Sequence, residues 1–406
     1  MFYRTHIFDN GIRLVHHRSP SPVGHCGLTV NAGSRDESEQ EHGLAHLIEH
    51  AIFKGTKKRR AHHIINRMET VGGEINAFTT KEHTCIYSSF LKEDLKRSVE
   101  LICDIVFHST FPEKEISLEK EVIIDEINSY KDDPAELIFD EFEETVYKGN
   151  SIGRSILGTP ECVRKFTRED LEHFIRKNYS TNQMVFSIVI DMDFKRVVRI
   201  AANHLENIAD SKNGKERLPF RTYIPANKRV SKNTHQAHCM IGNIAPDLKD
   251  RRRFTMALLN NITGGPGMNS RLNIALREKK GYAYNVESHY TPYTDTGIFG
   301  AYFGTYRENL EKCIAIVMKE FSRLRKKKLG TIQLSNAKRQ LTGQLVMSFE
   351  NKEHLMQTMG KNYLLFNRLY SSGQIFNIIE NITSEDLMEM ANDVFEPEKL
   401  TSLTYF

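Results

Sequence analysis

The residues best suited to chemistry in this sequence lie between His42 and His50, in the run HGLAHLIEH. His46 and His50 are four residues apart, so on a helix they lie on one face. Two neutral imidazoles at that spacing can hold one metal ion, and zinc is the commonest partner of nitrogen ligands. Glu49 is three residues from His46 and sits beside the same face. It can take a proton from a water that the metal activates, without being a ligand itself. The order H-x-x-E-H is the reverse of H-E-x-x-H. The bland alternative is a helix whose histidines happen to be exposed.

A catalytic zinc needs three protein ligands and one open position, so the chain should supply a third. The run EKEVIIDE from Glu119 to Glu126 is the best source. Glu119 and Glu126 are two helical turns apart and share a face, and Val122 and Ile123 are expected on that side. A carboxylate on an apolar face costs free energy unless it is paired or binds a metal. The ordinary alternative for a Glu-rich helix is a solvated face, and the pattern alone does not choose between the two. The pairs His16–His17 and His62–His63 are adjacent in sequence and cannot chelate from one helix face.

Several elements must position these groups. Asp9-Asn10-Gly11 is a tight-turn signal between strands at 3–8 and 12–16. A strand follows at 25–32, then the helix carrying the histidines, closed near Gly55. A second helix is expected at 61–71, with Ile64, Ile65, Met68 and Val71 on one stripe and Gly72-Gly73 as its stop. Strands are expected at 74–80, 83–90 and 183–191, and helices at 92–107, 112–130 and 135–147. Thr167 with Asp170 forms a capping-box variant at a further helix start.

Residues 208–234 are polar and broken by glycine and proline, and they predict a linker dividing the chain into domains 1–212 and 213–406. Beyond it come strands at 237–242, 284–290 and 297–304, helices at 253–263, 271–280, 307–329, 332–348 and 352–367, and a glycine-rich turn at 264–267. The pattern predicts an internal duplication. FTREDL at 166–171 matches ITSEDL 216 residues later, and EDLKRSV at 93–99 matches ENLEKCI 215 residues later. The stretch of the second half expected to match the histidine helix, 257–261, has no histidine, so one domain would hold metal and the other would not.

Composition bounds the rest. Charged residues are 27% and hydrophobic residues 39%, as in an ordinary globular chain. The net charge of +4 gives no reason to expect a nucleic-acid partner. The basic run at 323–328 ends an expected helix, where cations offset the dipole. No apolar run approaches the roughly 18 residues of a membrane span, and the N-terminus does not look like a secretory signal. Six scattered cysteines in mostly apolar contexts predict buried free thiols, hence a cytoplasmic setting.

The H-x-x-E-H run, GGEINAFT at 72–79, the stretch from Gly264-Gly265 to Ser270-Arg271-Leu272, and LREKKGYAY at 276–284 together resemble the pitrilysin family of inverted-zincin metallopeptidases. The likeness is to its half-length branch, which includes bacterial processing-type proteases and the mitochondrial processing peptidase subunits. It runs from about Asp9 to the C-terminus. The resemblance implies an α+β fold of two homologous domains. Each has a largely antiparallel sheet of about six strands with helices packed on it, and two subunits close like a clamshell around a chamber.

The resemblance also implies a zinc-dependent endopeptidase acting on extended peptides or unfolded segments. One zinc per chain would be held by His46, His50 and Glu126, the last lying 76 residues after His50. Glu49 would be the general base, and Glu119 would assist catalysis by orienting a ligand. Asn76 and Ala77 would lie on a strand that binds substrate by its backbone; the alternative for Asn76 is a turn residue after Gly72-Gly73. Arg277 and Tyr284 would match the family's substrate-contacting Arg/Tyr pair; the alternative for Arg277 is an ion pair with Glu278. Because this chain carries both sets, a homodimer is expected, with the second domain of one subunit facing the first of the other. Two other classes compete: a metal-dependent hydrolase of a different substrate, against which the substrate strand and the Arg/Tyr pair weigh, and a non-catalytic peptide-binding or scaffold subunit of a heterodimeric processing protease. The set His46, Glu49, His50 and Glu126 argues against the latter.

Overall fold

The computed structural model describes residues 2–211, 217–232 and 234–406. The expected boundary at 212/213 and, within the expected linker, residues 212–216 and Asn233 lie outside the described residues.

The first half of the chain forms β1 (Tyr3–Ile7), β2 (Arg13–His17), β3 (Val23–Val30), α1 (Leu44–Ala51), α2 (Ala61–Glu69), β4 (Glu74–Thr79), β5 (Thr84–Leu91), α3 (Leu95–Phe107), α4 (Glu113–Lys131), α5 (Pro134–Val146), α6 (Pro160–Lys165), α7 (Arg168–Asn178), β6 (Met184–Val189) and α8 (Phe194–Leu205). The second half forms β7 (Asn227–Val230), β8 (Ala237–Ile244), α9 (Arg253–Gly264), β9 (Ala283–Pro292), β10 (Gly297–Thr305), α10 (Leu310–Lys326), α11 (Thr331–Ser348), α12 (Lys352–Phe366), α13 (Ser372–Glu380), α14 (Ser384–Val394) and β11 (Thr401–Tyr405). This is the α+β class expected.

Two compact units emerge, each assembled from separate stretches. The first comprises Met1–Asn128, Arg154–Arg217 and Met347–Ser371; the second comprises Ser129–Gly153, Leu218–Val346 and Ser372–Phe406. The first unit holds a six-stranded sheet in the order β1-β2-β6-β3-β5-β4, antiparallel except for β2 beside β6. Alternate residues leave opposite faces of a strand. Leu14, Phe186 and Ile188 therefore join the core under α1, α3 and α8, while Val15, Val185 and Val189 face Leu355, Met356 and Met359 of α12. At Gly360 the helix lies so close to the sheet that an added Cβ would stand 2.5 Å from the Thr29 hydroxyl.

The second unit repeats the logic with a five-stranded sheet, β7-β11-β8-β10-β9. Cys239, Ile241, Phe299 and Phe303 pack toward α9, α10 and α14 on one face. Met240, Ile298, Tyr302 and Leu403 pack on Ile138, Phe142 and Val146 of α5 on the other. Each sheet thus has one face covered by a helix from the other half of the sequence. The two matched segments take the same local form. Thr167 with Asp170 and Thr383 with Asp386 each make a reciprocal capping box, at the starts of α7 and α14.

Some expectations fail locally. Part of the expected linker is strand β7, paired in parallel with β11; its sequence NKRV is polar because it is an exposed edge. The helix expected at 271–280 is a π-helical turn at Asn273–Glu278. On α2 only Ile64 and Met68 are buried, and Ile65 is exposed, because the helix rests on the core along a narrow i, i+4 line. Val122 does not share the buried side of Glu119: it is half exposed, while Ile123 is buried. No helix among the described residues is long and apolar enough to cross a membrane.

Candidate metal centre

Helix α1 begins at Gly43, whose φ of +98° is open mainly to glycine. A Cβ there would stand 2.8 Å from the Cα of Gly158. Gly43 offers no side chain to cap the helix, and the cap comes from further back. The Glu37 carboxylate accepts from Gly43 N at 3.0 Å and Ala45 N at 2.8 Å. Burial pushes the Glu37 carboxyl up to about 8, against the downward pull of those two N–H groups. Leu44, Ala45, Leu47, Ile48 and Ala51 are all buried, so α1 is gripped along its length.

His46 and His50 lie one turn apart on this helix, their rings edge to face at 4.7 Å. The Nε2 of each faces one oxygen of Glu126, at 3.8 Å from His46 and 3.9 Å from His50. One ligand atom from each of the three residues falls within a 4.8 Å span. The pairs are too far apart to be hydrogen bonds. Donors about 2.0–2.1 Å from a tetrahedral zinc stand roughly 3.3–3.5 Å from one another, so the gap suits such an ion after a small closure. Two imidazoles and a carboxylate are also the donor chemistry zinc takes. Burial, and then the neighbouring His50, push the His46 imidazole down to about 4, which leaves it neutral and able to donate a lone pair.

Behind these three side chains, His50 Nδ1 meets Glu119 Oε2 at 3.0 Å, and the other Glu119 oxygen meets Lys54 Nζ at 2.7 Å. His46 Nδ1 has no hydrogen-bond partner among the described residues. Glu49 is held beside the end of β4. Burial raises its carboxyl pKa, Thr79 and His50 draw it back, and Glu126 adds to the rise. Asn76 and Ala77 sit within β4, paired with Tyr87 and Ile86 of β5, so Asn76 is a strand residue and not a turn residue. β4 is the outer strand of its sheet.

The first unit thus brings together His46, Glu49, His50, Glu119 and Glu126, with the strand of Asn76 and Ala77 alongside. Arg277 and Tyr284 belong to the second unit. There the Arg277 guanidinium lies over the Tyr284 ring, 5.0 Å from its centre, and 3.6 Å from Glu278. Tyr284 is 76% exposed. Sequence reasoning missed Glu37, Lys54 and Thr79. Lys54 had a signal, being four residues beyond His50; Glu37 had only the absence of a local cap at Gly43.

Residues 13–160 match the family model described as Insulinase (Peptidase family M16), and residues 165–341 match the one described as Peptidase M16 inactive domain. An uncharacterized zinc protease of Streptomyces coelicolor is 33% identical over 399 residues, covering 96% of this chain and 87% of that protein. The chain belongs to peptidase family M16. Other relatives of this M16 chain include the uncharacterized zinc protease YmxG of Bacillus subtilis, at 31% identity over 97% of the chain and 96% of the relative. The mitochondrial-processing peptidase subunit beta of Saccharomyces cerevisiae is 29% identical over 96% of the chain and 88% of the relative. Among solved structures, a peptidase M16 inactive domain from Pseudomonas fluorescens superposes with a TM-score of 0.93 at 20% identity, covering 100% of this chain and 98% of the other. That likeness bears on the fold.

Proposed function

We propose that this M16 chain is a zinc endopeptidase that cuts extended peptides or unfolded segments, with one zinc per chain held by His46, His50 and Glu126. The observation that carries the reading is the convergence of those three side chains within 4.8 Å, with the Glu49 carboxyl on the same helix face. A zinc ion held there would supply Lewis acidity to a peptide carbonyl and acidify a water beside it.

The remaining work falls to side chains. Glu49 accepts the water's proton and passes it to the leaving amine. Its burial raises its affinity for that proton, which suits a group that must accept one. Glu119 accepts from His50 Nδ1–H, which fixes the tautomer and leaves Nε2 free to bind. The free edge of β4 receives the peptide as an added strand through backbone hydrogen bonds, with Asn76 and Ala77 in that strand. Arg277 and Tyr284 bind substrate through a planar fork of donors and one phenolic hydroxyl. The active form is a homodimer, since one chain carries both residue sets; a monomer by light scattering would sink this part.

The test is zinc content and cleavage of a quenched peptide, with and without chelator. One zinc per chain and cleavage abolished by chelator support the reading. Full cleavage by the metal-free protein would overturn it.

A further inference from the structure

We propose that Lys54 is a positioning residue for the metal centre: acting through Glu119, it fixes the orientation of the His50 imidazole. The inference rests on the zinc reading above and extends it to a residue with no ligand role.

The geometry is a line of three groups. Lys54 Nζ lies 2.7 Å from Glu119 Oε1, and His50 Nδ1 lies 3.0 Å from Glu119 Oε2. Each Glu119 oxygen therefore has a different partner. A surface ion pair would mean little, but here the carboxylate partner is buried, while the Lys54 side chain is 27% exposed. The Glu119 side chain is 9% exposed, and it lies on the face of α4 that also buries Ile116 and Ile123. In such surroundings a carboxylate oxygen without a partner is costly. Without the Lys54 ammonium, the carboxylate swings toward water and lets go of the ring.

Two further observations give the pairing a purpose. Lys54 follows His50 by four residues, just beyond the end of α1, so its reach is set by the element that sets His50. And the support is unequal between the two imidazoles. His50 is held from behind by Glu119, while His46 Nδ1 has no partner among the described residues. His50 is the ring whose direction depends on this relay. The neighbouring Lys57 and Lys58 are exposed and serve as controls.

The experiment measures zinc affinity of the full chain by competition with a chromophoric chelator. Lys54→Gln should weaken binding about tenfold or more, within the range for lost support behind a metal ligand. Lys54→Arg keeps the charge and should restore most of it, and Lys57→Gln should have no effect. Glu119→Gln should weaken binding, and adding Lys54→Gln to it should do nothing more. A purely structural lysine would not show that non-additivity. Unchanged affinity in Lys54→Gln, or a further loss in the double variant, overturns the proposal. If Lys54→Gln does not fold, the comparison of Glu119→Gln with the double variant, where both charges are gone, still decides. If the wild-type chain binds no zinc, the zinc reading itself has failed and this inference falls with it.

Discussion

Glu119 and Glu126 stand two turns apart on the same helix, yet the Glu119 side chain is 9% exposed and that of Glu126 46%. The sealed carboxylate has its oxygens taken by His50 and Lys54, while the open one faces the two Nε2 atoms. Two residues of one type on one face thus stand in different surroundings, and under the proposed function one would be a support and the other a ligand.

Replacing Glu126 should separate these roles from their neighbours. We expect Glu126→Gln to lower zinc affinity strongly, while Glu121→Gln and Asp125→Asn, both exposed, leave it unchanged. Equilibrium dialysis against zinc checks this. Loss of metal in Glu121→Gln instead would show the wrong register.

Glu49→Gln should keep the zinc and lose the activity. General-base removal costs on the order of 10² to 10⁴ in rate. Zinc stoichiometry and peptide cleavage measured on the same sample decide it, and unchanged turnover would rule Glu49 out as the base.

Acid should weaken the fold through His83. Burial, with smaller contributions from Lys361 and Arg217, pushes this imidazole down to about 3. Its folded pKa is therefore below its unfolded value of about 6.5. Above that value neither state binds the proton, and stability is complete. As pH falls from about 6.5 toward 3 the unfolded chain gains a proton that the folded chain refuses, at up to about 1.4 kcal/mol per pH unit. His83→Gln should flatten the fall in denaturation midpoint across that window; an unchanged slope would refute this.

The sequence pattern carried the H-x-x-E-H helix because its geometry is local: four residues fix the spacing of His46 and His50. The Asp9-Asn10-Gly11 turn and the Thr167 cap were legible for the same reason. Glu126 was chosen over its neighbours by resemblance, since the helical pattern left a solvated face open. What stayed hidden is non-local. Nothing around Asn227–Val230 announces a strand, because its partner is β11 at the far end of the chain. Val122 and Ile123 lie on opposite flanks of the line through Glu119 and Glu126, about 100° apart on the helix, and only the Ile123 flank faces the core.

Gly43→Ala should damage the site without touching a ligand. The residue has φ of +98° and close contact with Gly158. Left-handed backbone in a residue with a Cβ costs on the order of 1–3 kcal/mol, and the contact adds to it. A lowered melting temperature with weaker zinc binding is the expected pair of results. Wild-type values for both would show that α1 tolerates another path into its first turn.

The covering of each sheet by α5 and α12 also sets the order in which a growing chain can finish folding. During synthesis the strands of the first sheet are complete once β6 has been made. The helix that shields Val15, Val185 and Val189 comes only at Lys352–Phe366. For the interval in which more than 150 residues are added, that apolar face lacks its cover from α12, and exposed apolar surface of this kind is what makes incomplete chains prone to association.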